Sequence, residues 1–165
     1  MYILNISMKK LFYPLVKNPF SAKDIEEGIK VLKSKQLTLS RQTLALENYF
    51  KKKFNLKFST MVNSGSSANL LAFQTLINPY RKNRLKVNDE VLIPALCWPT
   101  SFWPIVQSNL KPIFVDCNKH NFNIDLDDLE KKITKKTKCL MLIHVLGHCA
   151  NMDQIMKIVK KYKLI

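Results

Sequence analysis

Glycine is scarce in this chain, with three residues in 165. That excludes a glycine-rich linker or fibrous repeat, and it makes each glycine's place informative, because a residue without Cβ is required only where the backbone bends sharply or approaches a partner closely. Arginine is equally rare, confined to Arg41, Arg81 and Arg84, although Lys and Arg together number 27 against 12 Asp and Glu. The net charge of +15 is therefore mostly a lysine charge. It is spread over many segments, and runs such as Lys51-Lys52-Lys53 and Lys135-Lys136 fall at helix ends or polar faces, where water solvates them. No zinc-finger spacing or aromatic RNA-binding signature accompanies the lysines, so a specific nucleic-acid partner is not expected. Cys97, Cys117, Cys139 and Cys149 stand singly in or beside apolar runs without a CxxC pair, which reads as buried thiols in a reducing compartment. The longest nearly uncharged stretch, 91–106, contains Pro94, Pro99 and Pro104 and cannot be a membrane helix. Lys9 and Lys10 follow the apolar start, the wrong order for a secretory signal. A cytoplasmic location without a membrane partner is expected.

What is present is an alternation of apolar patterns on a chain long enough for one domain, burying about 70% of its unfolded surface. Ser21 and Asp24 open a helix whose face of Ile25, Ile29 and Leu32 runs to about Lys35. Ser40 opens a second, with Leu46, Tyr49, Phe50 and Phe54 on its apolar side. Phe58 to Val62 reads as a short strand and Ser66 to Ile77 as a helix stopped by Asn78-Pro79. A turn at Val87-Asn88-Asp89 leads into strand Glu90 to Pro94, then helix Thr100 to Ser108 and strand Pro112 to Asp116. Asp125 opens helix Leu126 to Ile133, Lys138 to Val145 is a continuous apolar strand, and Asp153 to Tyr162 is a helix. Strands apolar throughout and alternating with helices predict an α/β fold, a mostly parallel sheet with helices on both faces. Its ligands would sit at the carboxyl ends of strands.

One stretch organises the rest. In Asn63-Ser64-Gly65-Ser66-Ser67-Ala68, Gly65 stands among three serines where strand-like periodicity changes to helix-like. A bend there, followed by free N–H groups and the positive end of a helix dipole, makes a phosphate seat, and the serine hydroxyls add donors. The same letters also spell an ordinary helix cap. His144, His148 and Cys149 are not expected to form a metal site, since His144 ends a strand and Gly147 follows it; a strand-end histidine near the site or in the core is the expectation.

The order of Asn63 to Ala68, Asn88-Asp89-Glu90-Val91-Leu92-Ile93-Pro94-Ala95, Trp98-Pro99-Thr100, Pro112 to Asp116, Asn123-Ile124-Asp125, Lys136-Thr137-Lys138, His144 to Gly147 and Met152-Asp153 resembles the DegT/DnrJ/EryC1/StrS family. The resemblance implies the aspartate-aminotransferase-like, fold type I architecture. On that basis residues 1–17 are an N-terminal lead-in and 18–165 an incomplete large domain of a pyridoxal-phosphate-dependent transferase. It also implies pyridoxal 5'-phosphate as cofactor, held through Ser64, Gly65, Ser66 and Ser67, with Trp98 against its ring and Thr38 on the substrate side. An indole suits the ring, since a flat π-face stacks on it; the competing expectation places Trp98 in the core, as Trp103 is expected to be. Ser40 and Asn88 stand where the family has glycine. Asn tolerates turn conformations, so Asn88 is the milder change.

The resemblance implies partners too: a nucleotide-linked keto-sugar, an amino donor, usually glutamate, and a second copy of the parent chain in a homodimer. Amino transfer for lipopolysaccharide or surface-polysaccharide synthesis is the first reading. A sugar 3-dehydrase of the same fold, with histidine in place of the Schiff-base lysine, is the second, and a catalytically inactive remnant the third. The family's ring-nitrogen carboxylate and its lysine lie beyond Lys163-Leu164-Ile165. No catalytic residue is therefore assigned, Asp116, Asp125 and Asp153 match other positions, and the isolated chain is expected to be inactive.

Overall fold

The computed structural model describes residues 16–38 and 40–165. The chain divides into two compact units at residues 61 and 62. In the first, helix α1 (Ala22–Ser34) begins in a complete capping box, with Ser21 Oγ accepting from Asp24 N–H while the Asp24 carboxylate accepts from Ser21 N–H at 2.8 Å. Lys35, in the left-handed region, ends it. Helix α2 (Arg41–Lys53) starts from Ser40 as its cap and stacks Phe50 on Phe54 at 5.6 Å. Both helices stand where the sequence puts them, yet neither buries a residue.

The expected strand Phe58 to Val62 does not form. A strand exists only as part of a ladder, and the sheet among the described residues has the order β2-β1-β3 with no strand beside 58–62. Met61 N–H instead donates to Glu47 Oε1 at 2.9 Å, and Phe58 is 85% exposed.

The second unit is the sheet. Strands β1 (Glu90–Pro94), β2 (Lys111–Val115) and β3 (Thr137–Leu140) are parallel, with β1 in the middle. Helices α3 (Gly65–Leu76), α4 (Pro99–Gln107), α5 (Leu126–Lys131) and α6 (Met152–Tyr162) cover it. Every residue of β1 is buried, and successive side chains alternate in face. Leu92 joins Val115, Leu129 of α5 and Ile155 of α6 on one side. Val91 and Ile93 join Phe73 of α3, Ile105 of α4 and Cys139 on the other. That is the doubly covered parallel sheet the apolar strands predict.

Strand β3 ends sooner than expected, at Leu140 rather than Val145. Proline explains where it stops. On β1, Glu90 N–H donates to Lys136 O, and Met141 N–H donates to Leu92 O at 2.8 Å, so alternate residues of β1 face β3 and Pro94 occupies the next such position. Proline has no N–H to give. The chain leaves as a loop, and residues 145–147 form a 3-10 turn. His144 is consequently neither a strand end nor a core residue: it is exposed, and its Nδ1 accepts from Ala150 N–H at 3.1 Å. Cys149 on the same loop is exposed, against the expectation of a buried thiol, while Cys139 is buried, which pushes its thiol up to about 11. At the chain's last residues, Ile165 N–H donates to Lys138 O and Ile165 O accepts from Leu140 N–H, both at 2.9 Å, parallel-ladder bonds on the outer side of β3. No helix among the described residues is long and apolar enough to cross a membrane.

Candidate functional site

The candidate seat is built by the start of α3. Ser64 is the cap: its Oγ accepts from Ser67 N–H at 3.1 Å and shares a hydrogen bond with Ser67 Oγ at 3.2 Å. The ordinary-cap reading of Ser64 therefore holds, and its hydroxyl is engaged. Gly65 and Ser66 occupy the first two helical positions, where the backbone N–H has no intrahelical acceptor, and both are exposed. The donor set facing outward is two backbone N–H groups, the hydroxyls of Ser66 and Ser67, and the positive helix end, with no carboxylate among them.

Gly65 does not serve a sharp bend, contrary to expectation. Its φ is not positive, and a Cβ placed on it would meet nothing within 4 Å. What the glycine leaves open is the outer side of the helix start, which suits close approach by a ligand rather than a turn of the chain. Asn88 behaves as the composition of turns suggests, with φ of 68°.

The seat lies at the carboxyl end of β1, although no strand leads directly into it. Asn69 Nδ2 donates to Thr100 O at 3.3 Å, which fixes the first turns of α3 and α4 side by side, and α4 begins five residues after Pro94 ends β1. Ser66, Ser67 and Leu70 share a depression of about 280 Å³ with Thr100, Trp103, Pro104 and Gln107. Trp103 was expected in the core; it is 53% exposed and lines this depression. The signal for it is helical spacing, because Thr100, Trp103 and Gln107 fall at i, i+3 and i+7 on one face of α4. Phe102 packs its ring against Trp103 at 5.4 Å and stacks on Phe114 at 5.3 Å.

Trp98 is no core residue either, being 73% exposed. It stands at the cap position of α4 and makes no side-chain cap bond, so its indole face is accessible, but it is not among the residues lining that depression. Thr38 belongs to the first unit. Asp116, Asp125 and Asp153 have local roles: Asp116 Oδ1 accepts from Cys117 N–H, Asp125 caps α5, and Asp153 sits in the first turn of α6. Asp128 binds Asp116 N–H at 2.7 Å and Lys132 Nζ at 2.8 Å, and these bonds hold its carboxyl below the usual aspartate range.

The second unit is thus a parallel sheet covered on both faces, with an all-donor helix start at the carboxyl end of its middle strand, the end where ligands of such sheets bind and where a helix start can hold an anion. The family model for the DegT/DnrJ/EryC1/StrS aminotransferase family matches residues 20–165, and the chain belongs to that family. It is 36% identical over 147 residues to GDP-4-keto-6-deoxy-D-mannose 3-dehydratase of Escherichia coli O55:H7, covering 89% of this chain and 38% of that protein. It is 33% identical over 118 residues to GDP-perosamine synthase of Escherichia coli O157:H7, covering 72% of this chain and 30% of that one. The solved E. coli GDP-4-keto-6-deoxy-D-mannose-3-dehydratase with bound hydrated PLP superposes with a TM-score of 0.86 at 35% identity, over 93% of this chain and 39% of that chain. A structure of the same activity with a trapped PLP-glutamate geminal diamine gives the same TM-score and identity. The fold is therefore that of the fold type I enzymes, as expected, and the chain spans about two fifths of the first relative's length.

Proposed function

We propose that this chain is the cofactor-seating part of a pyridoxal-phosphate-dependent enzyme acting on a nucleotide-linked 4-keto sugar, and that the reaction is removal of the C3 hydroxyl. The observation that carries the reaction is the stronger likeness to the 3-dehydratase: 36% identity over 147 residues, against 33% over 118 for the perosamine synthase. Dehydration was the second expectation from the resemblance and now stands first. Amino transfer to the keto carbon is the competing reading, supported by the family's description and the synthase match.

The residues fit the cofactor's phosphate end. Gly65 and Ser66 would offer backbone N–H groups, Ser66 and Ser67 hydroxyls, and the α3 dipole a positive end for the dianion. Trp98, accessible on one side of α4's start, would lie against the ring and limit its tilt. Pyridoxal phosphate, when bound, supplies an electron sink for breaking bonds beside the sugar carbonyl. Thr38 is assigned to the substrate side, glutamate to the amino donor, and a second parent chain to a homodimer, all on family likeness.

The test supplies the protein containing this chain with GDP-4-keto-6-deoxymannose, pyridoxal phosphate and glutamate. Dehydration predicts a sugar lacking one oxygen at C3, with glutamate nitrogen released as ammonia. Amino transfer predicts that nitrogen retained at C4 of the sugar. Cofactor binding by the 165-residue chain is read separately by absorbance titration. Ser66→Ala/Ser67→Ala and Trp98→Ala should each weaken it several-fold, and unchanged affinity would remove those residues from the site.

A further inference from the structure

Part of the basic charge that is scattered along the sequence comes together at one end of the sheet in the second unit. Three backbone bonds tie its distant segments together at the amino ends of the strands. Asn88 N–H donates to Asn109 O, Lys111 N–H to Asp89 O, and Glu90 N–H to Lys136 O, all at 2.9 Å. Register agrees, since Glu90 pairs with Lys111 on one side and Thr137 on the other. Arg84, Lys86, Lys111, Lys135 and Lys136 are all exposed around these bonds. Arg81 stands on the loop closed by Leu85 N–H donating to Leu76 O.

The carboxylates at this end do not balance them. Asp89 is folded back onto Lys86 N–H at 2.8 Å. Glu90 is 5% exposed and accepts the hydroxyls of Thr134 and Thr137, with the Lys111 ammonium at 3.8 Å. Two side chains among the cations are not ionic. Tyr80 is 97% exposed and Val87 67% exposed, on the loop and turn that lead into β1. The whole face lies about 17 Å from the carboxyl end of β1, the length of a five-residue strand.

We propose that this face is a contact surface for an anionic lipid bilayer. Lysines suit a surface of phosphate point charges, each adding attraction within a Debye length. A phenol ring and a valine between them match the headgroup boundary, where one part of a side chain is apolar and the other wet. Single-stranded nucleic acid is the less fitting polyanion, because Tyr80 stands as a lone fully exposed ring here and offers no row on which bases could stack. A peripheral contact of this kind departs from the expectation of no membrane partner, which rested on the lack of a spanning segment.

The test is co-sedimentation of the protein containing this chain with vesicles of phosphatidylcholine alone and of phosphatidylcholine with phosphatidylglycerol. Binding is expected only to the mixed vesicles. The quadruple variant Arg84→Glu/Lys86→Glu/Lys135→Glu/Lys136→Glu should lose about tenfold or more in partitioning. A control with the same charge change in the first unit, Lys23→Glu/Lys33→Glu/Lys52→Glu/Lys57→Glu, should lose much less, and circular dichroism checks that both variants fold. Tyr80→Ser/Val87→Ser keeps the charge and should weaken the binding that survives added salt. Equal losses in the two quadruple variants, no binding to mixed vesicles, or displacement of the vesicles by duplex DNA at equal phosphate would each overturn the proposal.

Discussion

The two units of this chain are equally regular and unequally buried. Helices α1 and α2 have caps, amphipathic spacing and basic last turns, and no buried residue. The second unit has strands of four or five residues, yet Val91, Leu92, Ile93, Ile105, Val115 and Leu129 are fully enclosed. Local signals make a helix; they do not provide the surface that covers it. In the sheet, the buried apolar side chains of the strands meet helices on both faces, so the two core clusters hold the fold from both sides.

The sharpest way to test that contrast is to remove the same kind of side chain from each unit. Leu92→Ala in β1 should destabilise by about 3–5 kcal/mol, transfer and cavity terms together. Ile29→Ala on α1, where Ile29 is 44% exposed, should cost under about 1 kcal/mol. Urea denaturation of both variants decides it; a loss at Ile29 as large as at Leu92 would mean that α1 is packed in solution.

A smaller effect tests how the amino end of the sheet is held. Glu90 accepts the hydroxyls of Thr134 and Thr137 from a buried position and thereby fastens the turn before β3 to the start of β1. Glu90→Ala leaves both hydroxyls without that acceptor and should cost about 1–3 kcal/mol. Glu90→Gln keeps an oxygen acceptor for the hydroxyls, removes the charge, and leaves Thr134 and Thr137 in place as acceptors of the Lys136 and Thr134 N–H groups, so it should recover part of the loss. No recovery would show that the charge near Lys111, rather than the hydroxyls, is what matters.

Caps give a lesser and more local contrast. Ser21→Ala and Asp125→Ala each remove an N-cap acceptor, at Asp24 N–H and Asp128 N–H respectively, and each should cost about 1 kcal/mol. In α1 the cost should appear as lost helicity at residues 22–25 without a change in the cooperative transition. In α5, whose Leu129 is in the core, it should lower the transition itself. Hydrogen exchange combined with denaturation separates the two outcomes.

These residues also show what was legible in the sequence. Ser21 with Asp24, Ser40, Asp125 and the limits of β1 were readable because caps and apolar runs act within a few residues. Asn88 was readable because a turn restricts its own residue. The absence of a strand at 58–62 was not, since a ladder depends on a neighbour that periodicity does not specify. The end of β3 was set by Pro94 on another strand. A core place for Trp103 fails because its exposure follows from which face of α4 meets Ile93 and Phe73, and that is a tertiary matter. At the candidate site the serines and Gly65 were legible as a group, but not the division of labour that gives Ser64 to the cap.

The smallest expected effect concerns pH and separates the two bonds of Asp128. Its carboxyl is lowered first by the Asp116 N–H bond and then by Lys132. A depressed aspartate stabilises the fold fully above the ordinary value near 3.9 and loses that contribution as pH falls through its lowered one. Asp128→Asn keeps an acceptor for Asp116 N–H and removes the charge beside Lys132. The stability gap between the two proteins should be constant from about pH 7 to about pH 5 and close below about pH 4. Urea midpoints across that range measure it. A gap that does not narrow at all as pH falls below about 4 would mean that hydrogen-bond geometry at Asp116, and not ionisation, is what Asp128 contributes to the junction of β2 and α5.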